Sequence, residues 1–248
     1  MLKKALSALR LPWSRSRHQG LTLVEEDGIY RATLGERAWY LPTDDRSQAI
    51  WALDFLPEHE RYIDCLREGD VVFEVGATSG EYTLPAASKI GAGGVLHAFE
   101  ANPIVHRCLV KNLELHLVNN AQAINSAVSS VSNRELEFRF KAGRMAESSF
   151  HRDSLPHSLT VTTVSLDDHA SAKGIARVDV IKATVNGHEL EVLKGAVRLL
   201  PTVRNVVFQS ARHAEVLEFL ASHGFAVKKS YDVGARSEMA ILVERTGR

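Results

Sequence analysis

A doubly wound α/β fold on a mostly parallel seven-stranded sheet is the architecture this sequence predicts. Three observations carry that expectation. Nearly continuous apolar runs such as DVVFEVG (70–76) and VDVIKAT (178–184) lack the alternation of a half-exposed strand, and read as strands buried on both faces. Amphipathic helical stretches alternate with these runs. The chain then closes on FAVKKSY (225–231) and MAILVE (239–244), which pattern as a terminal antiparallel hairpin.

The elements follow in order. The start, MLKKALSALRLPWSRSRHQG, sets Lys3, Lys4, Arg10, Arg15 and Arg17 around a short apolar set, too charge-interrupted for a signal peptide. It reads as a solvated basic tail, with weak peripheral membrane contact through residues 1–17 the competing reading. LTLVEEDGIYRATLGERAWYLP (21–42) has β-rich runs broken at Asp27-Gly28 and Gly35-Glu36, the pattern of a small antiparallel meander. PEHERYIDCL (57–66) opens like a helix, with Pro first and acids in its first turn. The expected division is a tail over 1–20, a β-rich cap over 21–56 and one α/β domain over 57–248.

Beyond Gly69 the strand-helix alternation begins. VLHAFE (95–100) is the second buried strand, and IVHRCLVKNLELHL (104–117) is a helix with Val105, Leu109, Leu113 and Leu117 on one stripe. AQAINSAVS and ELEFRF supply further strands. KAGRMAESSFHRDSLPHS (141–158) is polar and turn-rich, suited to a loop beside a ligand. VTTVSLDDHA ends in a short helix capped by Ser165. HELEVLKGAVRLL (188–200) predicts an amphipathic helix with Leu190, Leu193, Val197 and Leu200 inward. VRNVVFQ and AEVLEFLASHG add the fifth strand and its helix, stopped by Gly224.

Composition narrows the partners. Thirty Lys+Arg balance 30 Asp+Glu, so no global field favours nucleic acid, and none is expected as a partner. No run of about 18 apolar residues predicts a transmembrane segment. The two cysteines, Cys65 and Cys108, fit no disulfide or zinc spacing and read as small buried apolar residues in a reducing, cytoplasmic setting. No Cys/His cluster or H-E-x-x-H motif points to a metal. Nothing in the sequence specifies an oligomer.

Chemistry concentrates at the strand ends. Glu74-Val-Gly76-Ala77-Thr78-Ser-Gly80 joins the first buried strand to its helix, where glycines let a ligand approach the backbone. Glu100 lies twenty positions after Gly80 at the carboxyl end of the next strand, where an acid can accept both hydroxyls of a ribose. The G-x-x-x-G spacing with Glu74 before it suits an S-adenosylmethionine site better than the G-x-G-x-x-G of a dinucleotide.

The order VVFEVGATSGEYTLPAA, GGVLHAFEANP with KNLELH, SLDDH, and VDVIKATVNGHELEVLKGA resembles the FkbM family of S-adenosylmethionine-dependent methyltransferases over residues 57 to 225. That resemblance implies a class I, Rossmann-like methyltransferase fold and O-methylation of a hydroxyl on a sugar, glycolipid or polyketide-like acceptor. It places Glu74, Gly76, Ala77, Thr78 and Gly80 along the methionine part of the cofactor, Glu100 on the ribose, and Asn102 with Ser126, Ala127 and Val128 near the adenine. The acceptor pocket is expected from residues 21–56 and 141–160.

At the fourth strand the pattern departs. The family's I-K-[IV]-D-V-E-G-x-E stands here as Ile181-Lys182-Ala183-Thr184-Val185-Asn186-Gly187-His188-Glu189, and a fifth-strand Glu stands as Gln209. Three acids are thus neutral polar residues at the sheet's mouth. A hydroxyl acceptor must lose a proton, so the candidate bases become His188 or Glu189, or His151 or His157 on the polar loop, with Lys182 orienting substrate or pairing with Glu74. Two functions remain open at this point: an active O-methyltransferase with altered acid-base groups, or a catalytically impaired protein that binds cofactor or glycan.

Overall fold

The computed structural model describes residues 20–54, 63–140, 155–232 and 239–246. The chain enters through the expected meander, β1 (Thr22–Glu26), β2 (Ile29–Leu34) and β3 (Arg37–Leu41). Its first turn uses Asp27 (φ 54°) and Gly28 (φ 77°), two successive left-handed residues of the kind a twisted two-residue hairpin needs. Helix α1 (Arg46–Asp54) carries no strong sequence signal, and it forms because Ala49, Ala52 and Leu53 join Leu34, Trp39 and Leu41 in one apolar cluster. Residues 57–62 of the expected helix over 57–66 lie outside the described residues, as do the tail to residue 19 and the loop over 141–154.

Strand β4 (Val71–Val75) is followed by helix α2 (Thr83–Ile90), β5 (Val95–Phe99), helix α3 (Pro103–Leu115) and β6 (Ala121–Ile124). A side sheet in the order β7-β9-β8 comes next, from β7 (Ala127–Val128), β8 (Glu135–Phe140) and β9 (His157–Val164). Helix α4 (Leu166–Lys173) leads to β10 (Val180–Ala183), helix α5 (Glu189–Lys194), β11 (Asn205–Ser210), helix α6 (His213–Ser222), β12 (Phe225–Asp232) and β13 (Met239–Arg245). Among the described residues the main sheet holds seven strands in the order β12-β13-β11-β10-β4-β5-β6. β13 is antiparallel to both its neighbours and the other pairs are parallel.

The winding explains where a ligand belongs. From β4 the chain steps outward through β5 and β6, then returns to the other side of β4 with β10 and β11. The switch between β4 and β10 opens a crevice at their carboxyl ends. Both sheet faces are covered, which is why the strand sequences are mainly apolar, broken in β4 and β10 by Glu74 and Lys182. Phe73, Val75, Phe99 and Ile181 join the cluster holding Leu166, Val192, Leu193 and Leu220, whereas Val72, Leu96, Ala98 and Val180 join that of Ala86, Ile90, Leu109 and Leu113. Cys108 is buried and Cys65 partly so, and burial pushes both thiols up to about 12, as inert apolar cysteines require.

Local signals set most helix ends. Asn102 caps α3 by accepting from Ile104 N and Val105 N, with Pro103 at the first helical position, and Ser165 caps α4 by accepting from Asp168 N. Two expectations are corrected. Leu117 is 81% exposed, because the chain leaves α3 at His116 and Leu117 itself turns left-handed at φ 55°. The helix expected over 188–200 stops at Lys194, leaving Val197 exposed while Leu193 and Leu200 stay buried. At Gly195 the backbone runs so close to β7's exit that a Cβ would lie 2.2 Å from the Ser129 carbonyl oxygen. Asp167 holds the departing chain, donating its N–H to Gly195 O and accepting from Arg198 N and Leu199 N.

Gly195 has φ −77°, a conformation any residue adopts, so a cost at this site arises from the clash alone. Gly195→Ala is expected to lower stability by about 1–3 kcal/mol, read as a shifted urea midpoint with an unchanged slope.

Candidate active site

The site begins beneath the surface. Glu74 on β4 stands opposite Lys182 on β10, and Lys182 Nζ lies 3.2 Å from Glu74 Oε1 with both side chains almost wholly buried. Lys182 Nζ also donates to the Gly76 carbonyl at 3.0 Å and sits 4.4 Å from the Tyr82 ring centroid. Thr83 Oγ1 donates to the other Glu74 oxygen at 2.8 Å. Burial pushes the Glu74 carboxyl up, opposed by the Lys182 ammonium and these hydrogen bonds. Both residues are thereby committed to joining two strands, the glycine turn and the start of α2.

Above that pair the turn is shaped by contact with β10. A Cβ on Gly76 (φ 78°) would lie 2.2 Å from the Thr184 carbonyl oxygen, so only glycine lets the two strand ends approach. Gly76 N and Ala77 N both donate to Phe99 O. Thr78, left-handed at φ 51°, then aims its N–H at Glu100 Oε2, 3.0 Å away. Asn102 N donates to Glu100 Oε1 at 2.9 Å. Each oxygen of Glu100 therefore accepts from one backbone donor and retains lone-pair capacity for another. Burial lifts Glu100 to about 7, with the two backbone hydrogen bonds pulling the other way.

Glu100 faces a cavity at the carboxyl edge of the sheet. Gly76 and Thr78 share its wall, and Ser126, Ala127 and Val128 line it after β6. Phe138 of the side sheet and Thr184, Val185 and Asn186 after β10 complete the rim. Eight of the residues expected from sequence thus meet around one space. Ala77 and Gly80 do not line it; they pack inward, Gly80 against Leu84 and Leu109. Asn102 is fully buried beside Glu100, and its Nδ2 has no hydrogen-bond partner among the described residues.

The other candidate bases also lie off the wall. Glu189 is completely buried, and its carboxylate accepts from Val185 N and Gly187 N, holding the turn in which Asn186 (φ 53°) and Gly187 (φ 105°) are left-handed. His188 is buried with Nε2 3.0 Å from Ser129 Oγ. His157 belongs to β9, where it pairs in register with Phe140, so it is a strand residue and not part of a loop. His151 lies outside the described residues. Gln209 pairs with Ala240 along β11.

A further group had no distinctive sequence signal. Glu81 is buried and accepts from Thr78 Oγ1 and Ser79 Oγ, both at 2.5 Å. Trp39 Nε1 of the meander donates to Ser79 Oγ at 3.1 Å. Asn112 on α3 donates to Ser79 O and Tyr40 O and accepts from Tyr40 N, so β3 is stitched to the glycine turn. Only the adjacency of Glu81 to the turn is visible in one dimension.

A seven-stranded sheet of this topology with a glycine turn, an acid on the next strand and a cavity between them defines an S-adenosylmethionine-dependent methyltransferase of class I. Within that class the chain belongs to the methyltransferase FkbM domain family, whose model matches residues 74–227. It is 28% identical over 166 residues to the hexuronic acid methyltransferase AglP of Haloferax volcanii, covering 65% of this chain and 66% of that protein. It is likewise 28% identical over 202 residues to the 31-O-demethyl-FK506 methyltransferase FkbM of Streptomyces tacrolimicus, covering 67% of this chain and 76% of that one. The fold is similar to that of the Methanococcus jannaschii fibrillarin pre-rRNA processing protein, with a TM-score of 0.51 at 14% identity, covering 92% of this chain and 99% of that one.

Removing one partner of the buried pair leaves the other charge stranded. Lys182→Met is expected to cost about 3–5 kcal/mol in urea unfolding, and Glu74→Leu/Lys182→Met to recover most of it. Equal loss in single and double variants would show that packing of the lysine stem, and not the pairing, is what stabilises.

Proposed function

We propose that this protein transfers the methyl group of S-adenosylmethionine to an oxygen of a small-molecule or glycan acceptor of sugar, glycolipid or polyketide type. In this reading Glu100 accepts the two ribose hydroxyls, the turn from Gly76 to Thr78 runs beside the methionine part, and Ser126, Ala127 and Val128 flank the adenine. The orphaned Asn102 Nδ2, buried next to Glu100, is a donor in want of an acceptor and fits a nucleoside neighbour. The observation that carries the reading is Glu100 itself: an acid on the cavity wall, already oriented by Thr78 N and Asn102 N. The methyl donor supplies an electrophilic carbon on a positive sulfur; the protein's part is to hold both reactants in line. The names of AglP, a hexuronic acid methyltransferase, and FkbM, a 31-O-demethyl-FK506 methyltransferase, support an oxygen acceptor of this kind. Balanced charge supports a small acceptor over a nucleic acid. Among the described residues no helix is long and apolar enough to cross a membrane.

A second reading, cofactor binding without turnover, is favoured by one observation: Lys182, His188 and Glu189 are all engaged in structural hydrogen bonds. Calorimetric titration with S-adenosylmethionine and S-adenosylhomocysteine, beside tritium transfer from labelled donor, separates the two. Binding without transfer to any acceptor supports the second reading, and absence of binding refutes both.

Glu100 also sets a pH dependence. Ribose hydroxyls donate to the ionised carboxylate, so the ligand selects that form, and Glu100 begins with its proton held to about pH 7. Affinity for S-adenosylhomocysteine should therefore rise toward pH 7, level off above it, and fall by up to about tenfold per unit below. Glu100→Gln should flatten that profile, and Glu100→Ala should weaken binding at pH 8 by at least about tenfold. A wild-type profile as flat as the variant's would mean that Glu100 does not touch the ligand.

A further inference from the structure

Resting on the methyltransferase reading, we infer that Glu81 is a positioning residue for the methyl donor. Through Thr78 it holds the glycine turn so that a backbone N–H reaches Glu100, and so readies Glu100 for the ribose hydroxyls. Thr78 is the strained member of the turn. At φ 51° a β-branched residue occupies a region that its side chain disfavours, and such a conformation persists only where the surroundings hold it. Its N–H donates to Glu100 Oε2 at 3.0 Å, and its hydroxyl donates to Glu81 Oε2 at 2.5 Å, the length of a hydroxyl on a carboxylate. The Ala77 carbonyl oxygen is the other acceptor in reach of that proton, at 2.8 Å, and the shorter contact takes it. Thr78 is thus fixed between two acids.

Glu81 is itself held from the far side. Its Oε1 accepts from Ser79 Oγ at 2.5 Å, and Ser79 Oγ accepts from Trp39 Nε1 of β3 at 3.1 Å. Glu81 is only 5% exposed and does not line the cavity, so its effect on a ligand passes through Thr78. An acid in this place carries a cost. Burial is the main cause that lifts Glu74 and Glu100, and the charge of Glu81 adds to it in each. What the acid supplies is one acceptor oxygen for Thr78 and another for Ser79, which no apolar residue offers. At Glu100 the Asn102 and Thr78 N–H groups oppose burial, Thr78 by more than the charge of Glu81 adds, and Lys182 opposes it more weakly. Loss of the Thr78 contact should therefore outweigh loss of the Glu81 charge.

The test uses the full chain and calorimetric titration between about pH 6 and pH 9 with two probes, S-adenosylhomocysteine and 5′-methylthioadenosine. These share the adenosine and differ in the amino-acid portion. Glu81→Ala is expected to move the inflection of the affinity profile upward by about one pH unit for both probes, a loss of about tenfold at pH 6 that shrinks toward pH 9. Thr78→Val, which keeps the β-branched shape and deletes the hydroxyl, should do the same, and the double variant should exceed neither. Glu81→Gln should leave the inflection at or below that of the wild type, because its amide oxygen still accepts from Thr78 Oγ1 while its amino group donates to Ser79 Oγ. Thr78→Val and Glu81→Gln stay close in volume to the residues they replace, and they decide the matter even where Glu81→Ala unfolds. An unshifted Thr78→Val profile, additive single effects, or Glu81→Gln matching Glu81→Ala would each overturn the inference. So would a loss confined to S-adenosylhomocysteine, which would put Glu81 directly on the methionine part. Failure of the wild type to bind S-adenosylhomocysteine would instead refute the methyltransferase reading itself.

Discussion

The buried pair of Glu74 and Lys182 is the constraint on which the site depends. Two charges removed from water cost several kcal/mol each before their attraction offsets it, and apolar residues would fill the same volume at no such cost. What the pair adds is placement. Lys182 reaches past Glu74 to the Gly76 carbonyl, so the turn is anchored from below while Thr184 presses on it from the side. With Gly76 fixed, Thr78 takes its left-handed conformation and its N–H meets Glu100. One ammonium thus ties β10 to β4 and to the glycine turn at the cavity's edge.

Much of this was legible in one dimension, and the boundary is physical. Strands β4 and β10 announce themselves because burial on two faces demands apolar runs, and caps such as Asn102 and Ser165 act within three residues of themselves. The glycine turn and Glu100 are legible for the same reason: their spacing follows from strand length. What depends on another segment's approach left no trace. Gly195 ends α5 because of the Ser129 carbonyl, and no pattern within 188–200 contains that carbonyl. The bonds of Trp39 and Asn112 to Ser79 join positions far apart in the chain.

The IKATVNGHE corner shows the limit most clearly. Residue types there suggested bases, but their work is decided by which way each points. Glu189 folds back on two N–H groups of its own turn, and Asn186 occupies a left-handed position that Asn tolerates better than Glu. Asn186 thus suits the backbone conformation of the turn it occupies.

The hydrogen bond from Trp39 to Ser79 ties the N-terminal meander to a turn it does not otherwise belong to. Linkage makes that tie reciprocal: whatever steadies the glycine turn must also steady the three strands leaning on it. A ligand that steadied the turn would therefore also disfavour separation of β3 from α3 at equilibrium. Whatever order a ligand imposed on that sheet would be drawn from its own binding free energy.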